Sequence, residues 1–245
     1  MEQALITSID IIKKGWQIYS KNFRLFLKPI IILAAISIVY ILFQIVTAYI
    51  NIQSSFLAII TFILAIILVF IYLWMLIVII KLADALYKNQ TIDLVQLYPQ
   101  SMKKVPSFFW VGIVMGLVVL LGLILLIIPG FIFMVWYSFA PFINILEEKN
   151  NKGLVALKAS KNLVLGRWWP TFWRLLIPEL IVYLIMIIVI TGLIYLIAGG
   201  NITIESINQS IFANAIISFT SLLVTPLLVS FPIILYNNLK KIKSQ

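Results

Sequence analysis

The chain of 245 residues contains no cysteine and no histidine. Without imidazole there is no histidine base, no His-containing triad and no zinc site of the histidine type; without thiols there is no disulfide, no thiolate nucleophile and no sulfur metal site. Most common hydrolases are excluded, and neither a cofactor nor a bound metal is expected. A cysteine-free chain fits either side of a membrane, so the redox compartment cannot be read. Charge is scarce too: Asp, Glu, Lys and Arg make up 11% of the residues and apolar types 63%, where a soluble domain has ~25% and ~45–50%. A soluble globular protein is therefore excluded.

What is present is two materials. Six stretches carry no charge: 30–50, 56–80, 108–128, 131–146, 180–198 and 211–235. They cover 127 residues, and all 26 charged residues fall among the other 118, at ordinary surface density. A helix needs ~20 apolar residues to cross ~30 Å of hydrocarbon. Five stretches reach or nearly reach that length, and the shorter 131–146 is counted as a span because omitting it would scatter lysines over both faces. The expected fold is all-α: a single integral membrane domain over 1–245, with six transmembrane helices as three hairpins. No cleavable signal precedes the first span, which should serve as its own insertion signal.

With six spans, segments 1–29, 81–107, 147–179 and 236–245 share one face and hold 5, 4, 6 and 3 of the basic residues, which is all 18. The opposite connections, 51–55, 129–130 and 199–210, hold one charge, Glu205. Positive-inside partition then places both termini in the cytoplasm of a cell-membrane protein. Pro29, Pro106 and Pro178 read as first-turn prolines of the odd spans. Asn201 and Asn208 head N-x-S/T sequons in the outer connection.

A weak threefold repeat precedes the hairpins. Ser8-Ile9-Asp10-Ile11-Ile12 leads to Phe23-Arg24-Leu25-Phe26, Thr91-Ile92-Asp93-Leu94-Val95 to Phe108-Phe109-Trp110, and Gly153-Leu154-Val155 to Trp168-Trp169. These amphipathic stretches are expected as interfacial helices, 6–22, 91–105 and 152–173, lying at the headgroups with their basic residues on anionic phosphates. In the first, Ile9, Ile12, Trp16, Tyr19 and Phe23 form the apolar stripe and Lys13 and Lys14 the cationic one. The densest cluster is Arg167, Trp168, Trp169, Trp173 and Arg174. It reads either as an aromatic belt that sets helix depth or as a cradle for a phospholipid headgroup.

Small polar residues stripe two spans: Ser37, Tyr40, Gln44 and Thr47 in the first, Asn214, Ser218, Ser221 and Thr225 in the sixth. Both stripes should turn away from lipid, as interhelical hydrogen-bond glue or as a polar pathway for a small solute. Gly112 and Gly116 form a GxxxG for close helix packing. Pro226 and Pro232 should kink span six and free carbonyls near Leu222 and Leu228. No stretch holds an ionisable side chain at depth, which speaks against an ion-coupled carrier. Glu179 is expected to pair with Arg174 or Lys28. Glu147 and Glu148 are the nearest approach to the acid pair of a lipid enzyme. Lipid phosphate is a nearer anion than nucleic acid, because the basic residues hug apolar stretches.

The turn Ile128-Pro129-Gly130-Phe131, the aromatic span after it, Ala156-Leu157-Lys158, Ser160, Leu163 and Gly166-Arg167-Trp168-Trp169 resemble the YciC-like integral membrane proteins. That family is related to the membrane domain of some glycerophosphodiester phosphodiesterases. The likeness runs over roughly residues 5–238. It implies a six-span bacterial or archaeal membrane protein; the enzyme part of the fused relatives is a separate barrel with histidine and acidic ligands, which this chain lacks. The expectation is a non-enzymatic module that engages anionic membrane lipid, or a protein partner or second copy, with a small-solute transporter or channel as the alternative and an intramembrane lipid enzyme third.

Overall fold

A computed structural model describes residues 5–50, 55–147, 153–197 and 211–244. Among them are ten helices and no strand: α1 (Ser8–Lys21), α2 (Phe23–Ile50), α3 (Ser55–Tyr87), α4 (Leu94–Met102), α5 (Val105–Leu125), α6 (Ile127–Tyr137), α7 (Ala140–Leu146), α8 (Gly153–Val164), α9 (Trp168–Ile197) and α10 (Ile211–Lys243). Six segments are long and apolar enough to cross a membrane: α2, α3, α5, α6 with α7, α9 and α10. A short helix precedes each of α2, α5 and α9, so the order of elements repeats three times. The sequons at Asn201 and Asn208 lie outside the described residues, as do Glu148 and the side chains of Gln44 and Asn214.

Several helices outrun the charge-free stretches. Helix α2 begins at Phe23 and α9 at Trp168, so Pro29 and Pro178 sit inside helices rather than at their starts; only Pro106 occupies a first turn. The fourth span is broken. Helix α6 ends at Tyr137 and α7 starts at Ala140, with Pro141 in its first turn. The turn between α5 and α6 is the single extended residue Leu126, and Pro129-Gly130 already belong to α6. Gly122 and Gly130 make this possible: a Cβ on Gly122 would lie 3.0 Å from the Gly130 Cα, a backbone approach that any side chain would block.

The aligned aspartates of the repeat do different work. Thr7 caps α1, its Oγ1 accepting from the Asp10 N–H, whereas Asp93 is itself the cap of α4, accepting from the Val95 N–H. The cap therefore falls on different positions of the repeated segment.

Packing concentrates at the basic end of the bundle. Phe231 to Tyr236 of α10 are buried on every side, as a helix apolar all round must be. One cluster sets Ile11, Phe139, Leu157 and Tyr236 together; the second joins Phe26, Ile30, Ile77 to Ile80, Val105 and Ile233. The far halves of α3 and α9 expose Phe62, Ile66, Ile185 and Ile188, the surface that lipid tails would cover. Helix α1 meets α10 through Ile11 and Gly15. A Cβ on Gly15 would stand 2.6 Å from the Phe231 ring, which is itself enclosed. Gly15→Ala should cost about 1–3 kcal/mol by overpacking, read as a lower midpoint in thermal unfolding of the detergent-solubilised protein.

Candidate functional site

The amphipathic helices are two-faced. On α1 the predicted stripe splits: Ile9 and Trp16 are exposed, Ile12, Tyr19 and Phe23 half-buried, while Ile11 and Gly15 form a second face against α10. Lys13 and Lys14 are exposed beside Trp16. On α8 the face Ala156, Leu157, Ser160, Leu163 and Val164 is buried in protein, leaving Leu154, Val155 and Leu165 outside. These helices are therefore parts of the packed core, with a residual apolar edge turned outward.

The cluster at the start of α9 divides in the same way. Trp168 turns inward: it stacks on Phe172 with ring centroids 5.5 Å apart, and its Nε1 donates to the Ile132 carbonyl at 3.3 Å. Trp169 and Trp173 turn outward, 63% and 48% exposed. Between them and α6 lies an apolar cleft of about 840 Å³, lined by Ile128, Phe131, Ile132, Trp136, Leu165, Gly166, Phe172 and the three tryptophans. Arg167 follows the lining residue Gly166 in the chain and lies close enough to Lys243 for their charges to repel. Lys161 lies 4.3 Å over the Trp136 ring, a cation–π contact.

Arg174 belongs elsewhere. Its Nε donates to the Ile6 carbonyl, its Nη1 to Pro170 O at 2.9 Å and its Nη2 to Leu5 O at 3.5 Å. It ties the entry of α1 to α9, assisted by Asn238 Oδ1, which accepts from the Ile6 N–H. Arg174 is not available to a headgroup, and it does not pair with Glu179.

Three hydroxyls of the polar stripes bond within their own helices. Ser37 Oγ donates to Leu33 O, Ser221 Oγ to Ile217 O and Thr225 Oγ1 to Ser221 O, each one turn back. Ser218 and Ser221 are exposed. Ser37, Tyr40 and Ser218 do meet, at a cavity of about 730 Å³ between α2, α3 and α10, but most of its lining is Leu, Ile and Val. Gly112 and Gly116 approach no other part of the described chain; the close contact on α5 is at Gly122. Near Pro226, Tyr19 Oη donates to Leu223 O at 2.9 Å, and burial pushes this phenol's pKa up, keeping the donor proton in place.

Sequence reasoning missed the polar links of the core. Buried Ser160 spans the α6–α7 break, donating to Trp136 O at 2.7 Å and accepting from the Phe139 N–H at 3.1 Å. Its signal was a lone hydroxyl on an otherwise apolar face. Glu147 accepts from Tyr236 Oη and from Lys240 Nζ at 2.8 Å, while Asp84 holds Lys88 at 2.6 Å and Asn237 at 2.8 Å. The carboxylates are thus engaged in clamping α10 to α7 and α3, and among the described residues no three acidic groups gather as a metal site would require.

Ser160→Ala orphans a buried N–H and carbonyl and should cost about 1–3 kcal/mol. Ser37→Ala and Ser221→Ala, whose hydroxyls bond only their own helix, should stay within about 0.5 kcal/mol of the parent; chemical denaturation in mixed micelles separates the two outcomes. Searches of protein-family models, of curated proteins and of solved structures find no match to this chain.

Proposed function

We propose that this is a non-enzymatic multi-pass protein of the cell membrane, with both termini cytoplasmic, that engages anionic phospholipid at its basic end. The observation that carries the reading is the juxtaposition of outward-facing Trp169 and Trp173 at one apolar cleft with Arg167, which sits in the chain between two of its lining residues, Gly166 and Trp168. Indoles are suited to the headgroup boundary, and each basic side chain near an anionic surface contributes about 1 kcal/mol. Exposed Lys13, Lys14 and Trp16 repeat the combination on α1. The partition of all 18 basic residues supports the orientation. The motif around Ser160 and Gly166-Arg167-Trp168-Trp169 supports membership of the YciC-like group, and nothing in that motif supplies an acid, base or nucleophile.

A solute pathway has less behind it. The cavity between α2, α3 and α10 carries three hydroxyl groups besides Tyr72 on otherwise apolar walls, and no ionisable side chain lines it. Such walls suit an acyl chain better than a hydrated solute.

Replacing Lys13, Lys14 and Arg167 by alanine removes three cations without touching the Arg174 clamp. It should weaken binding of phosphatidylglycerol by about 3 kcal/mol, about a hundredfold, with phosphatidylcholine unchanged. Native mass spectrometry of lipid adducts measures both; equal phosphatidylglycerol retention by parent and variant overturns the proposal.

A further inference from the structure

The tip of the α5–α6 hairpin does not sit where an outer turn belongs. Ile128, two residues past the turn, shares one cleft with Gly166 and Trp169 at the α8–α9 junction, and Ile132 O receives the Trp168 indole. That junction carries Arg167, which must stay at the polar boundary, and α9 runs away from it for 30 residues, about 45 Å. A turn on the opposite face would lie ~30 Å from the boundary. Helix α6 breaks after 11 residues, about 16 Å, and only together with α7 does the returning segment reach 20 residues.

Two further observations concern the tip itself. From Val111 to Val135 no side chain is polar, whereas the other two connections read Asn51-Ile52-Gln53-Ser54-Ser55 and Gly199-Gly200-Asn201 onward to Ser210. The turn pairs part of its own backbone: Leu126 N–H donates to Gly122 O at 3.1 Å and Gly130 N–H to Leu126 O at 3.4 Å. A turn with these internal bonds and no polar side chain suits hydrocarbon better than either polar connection does. Its side chains, with Ile124, Leu125 and Ile128 each more than 70% exposed, then face acyl chains.

We infer that α5 and α6 form a re-entrant hairpin whose exposed tip is a docking surface for the acyl chains of the basic-side leaflet, leaving four crossings made by α2, α3, α9 and α10. The hairpin returns to the side it left, so the partition of lysine and arginine is the same for four crossings as for six. The inference concerns chain path alone and is independent of headgroup preference.

The native absence of cysteine allows single-cysteine labelling without background. Bimane is attached at Ile128→Cys, with Ile124→Cys as a second tip site, and at Lys158→Cys and Gln53→Cys as references for the two faces. The proteins are reconstituted in one orientation in sealed vesicles of phosphatidylcholine and phosphatidylglycerol bearing a nitroxide lipid, and impermeant ascorbate reduces the nitroxides of the outer leaflet only. The tip fluorophores should follow the Lys158→Cys reference, gaining or keeping intensity with it. Tip fluorophores that follow Gln53→Cys overturn the inference.

Discussion

A peptide group in hydrocarbon has no water to bond, and one left unpaired costs several kcal/mol. The layout of this protein follows from that constraint. At three places where a helix is interrupted or begins, a partner is supplied from another part of the chain: Ser160 at the α6–α7 break, Tyr19 beside Pro226, Arg174 and Asn238 at the entry to α1. At Leu126 the partner is the hairpin's own backbone, brought within reach by two glycines. Of the buried polar side chains, Ser101, Ser160 and Ser230 bond main-chain groups, whereas Asp84 and Asn144 bond other side chains.

The same constraint explains where the packing lies. Lipid tails are as apolar as leucine, so helices gain little by hiding apolar surface from one another inside the bilayer. The far halves of α3 and α9 accordingly expose their side chains. At the basic end water is near, burial is favourable, and α10 is enclosed by α1, α3, α7 and α8. The carboxylates Asp84 and Glu147 lock that enclosure from two sides through Asn237, Tyr236 and Lys240.

The spans were legible because an uncharged run of some twenty residues is a signal in one dimension. The contacts between them were not. Met75 to Ile80 and Phe62 to Ile67 are equally apolar, yet the first stretch is largely buried and the second largely open, since Ile77 to Ile80 pack in one cluster with Phe26 of α2, Leu97 of α4 and Val105 of α5. Gly112 and Gly116 carried the familiar spacing, but Gly122 faces the partner, and the helix face is set by a turn four residues further on. Trp168 and Trp169 are adjacent and identical in type, and helix geometry points one inward and the other out. Arg174 was read as a headgroup ligand because its true partners are carbonyls, which every residue has and no sequence pattern marks. In the serine and threonine stripes, Ser37, Ser221 and Thr225 each bond a carbonyl of their own helix.

Helix α1 is synthesised before the surfaces it rests on, which belong to α9 and α10. Ile6 bonds Asn238 across 232 residues and Arg174 across 168. Such distant closures form late, so α1 must be held in waiting, apolar edge exposed, until α10 has been made. Its docking then works as a latch: the bundle is sealed only when α1, α9 and α10 are all in hand.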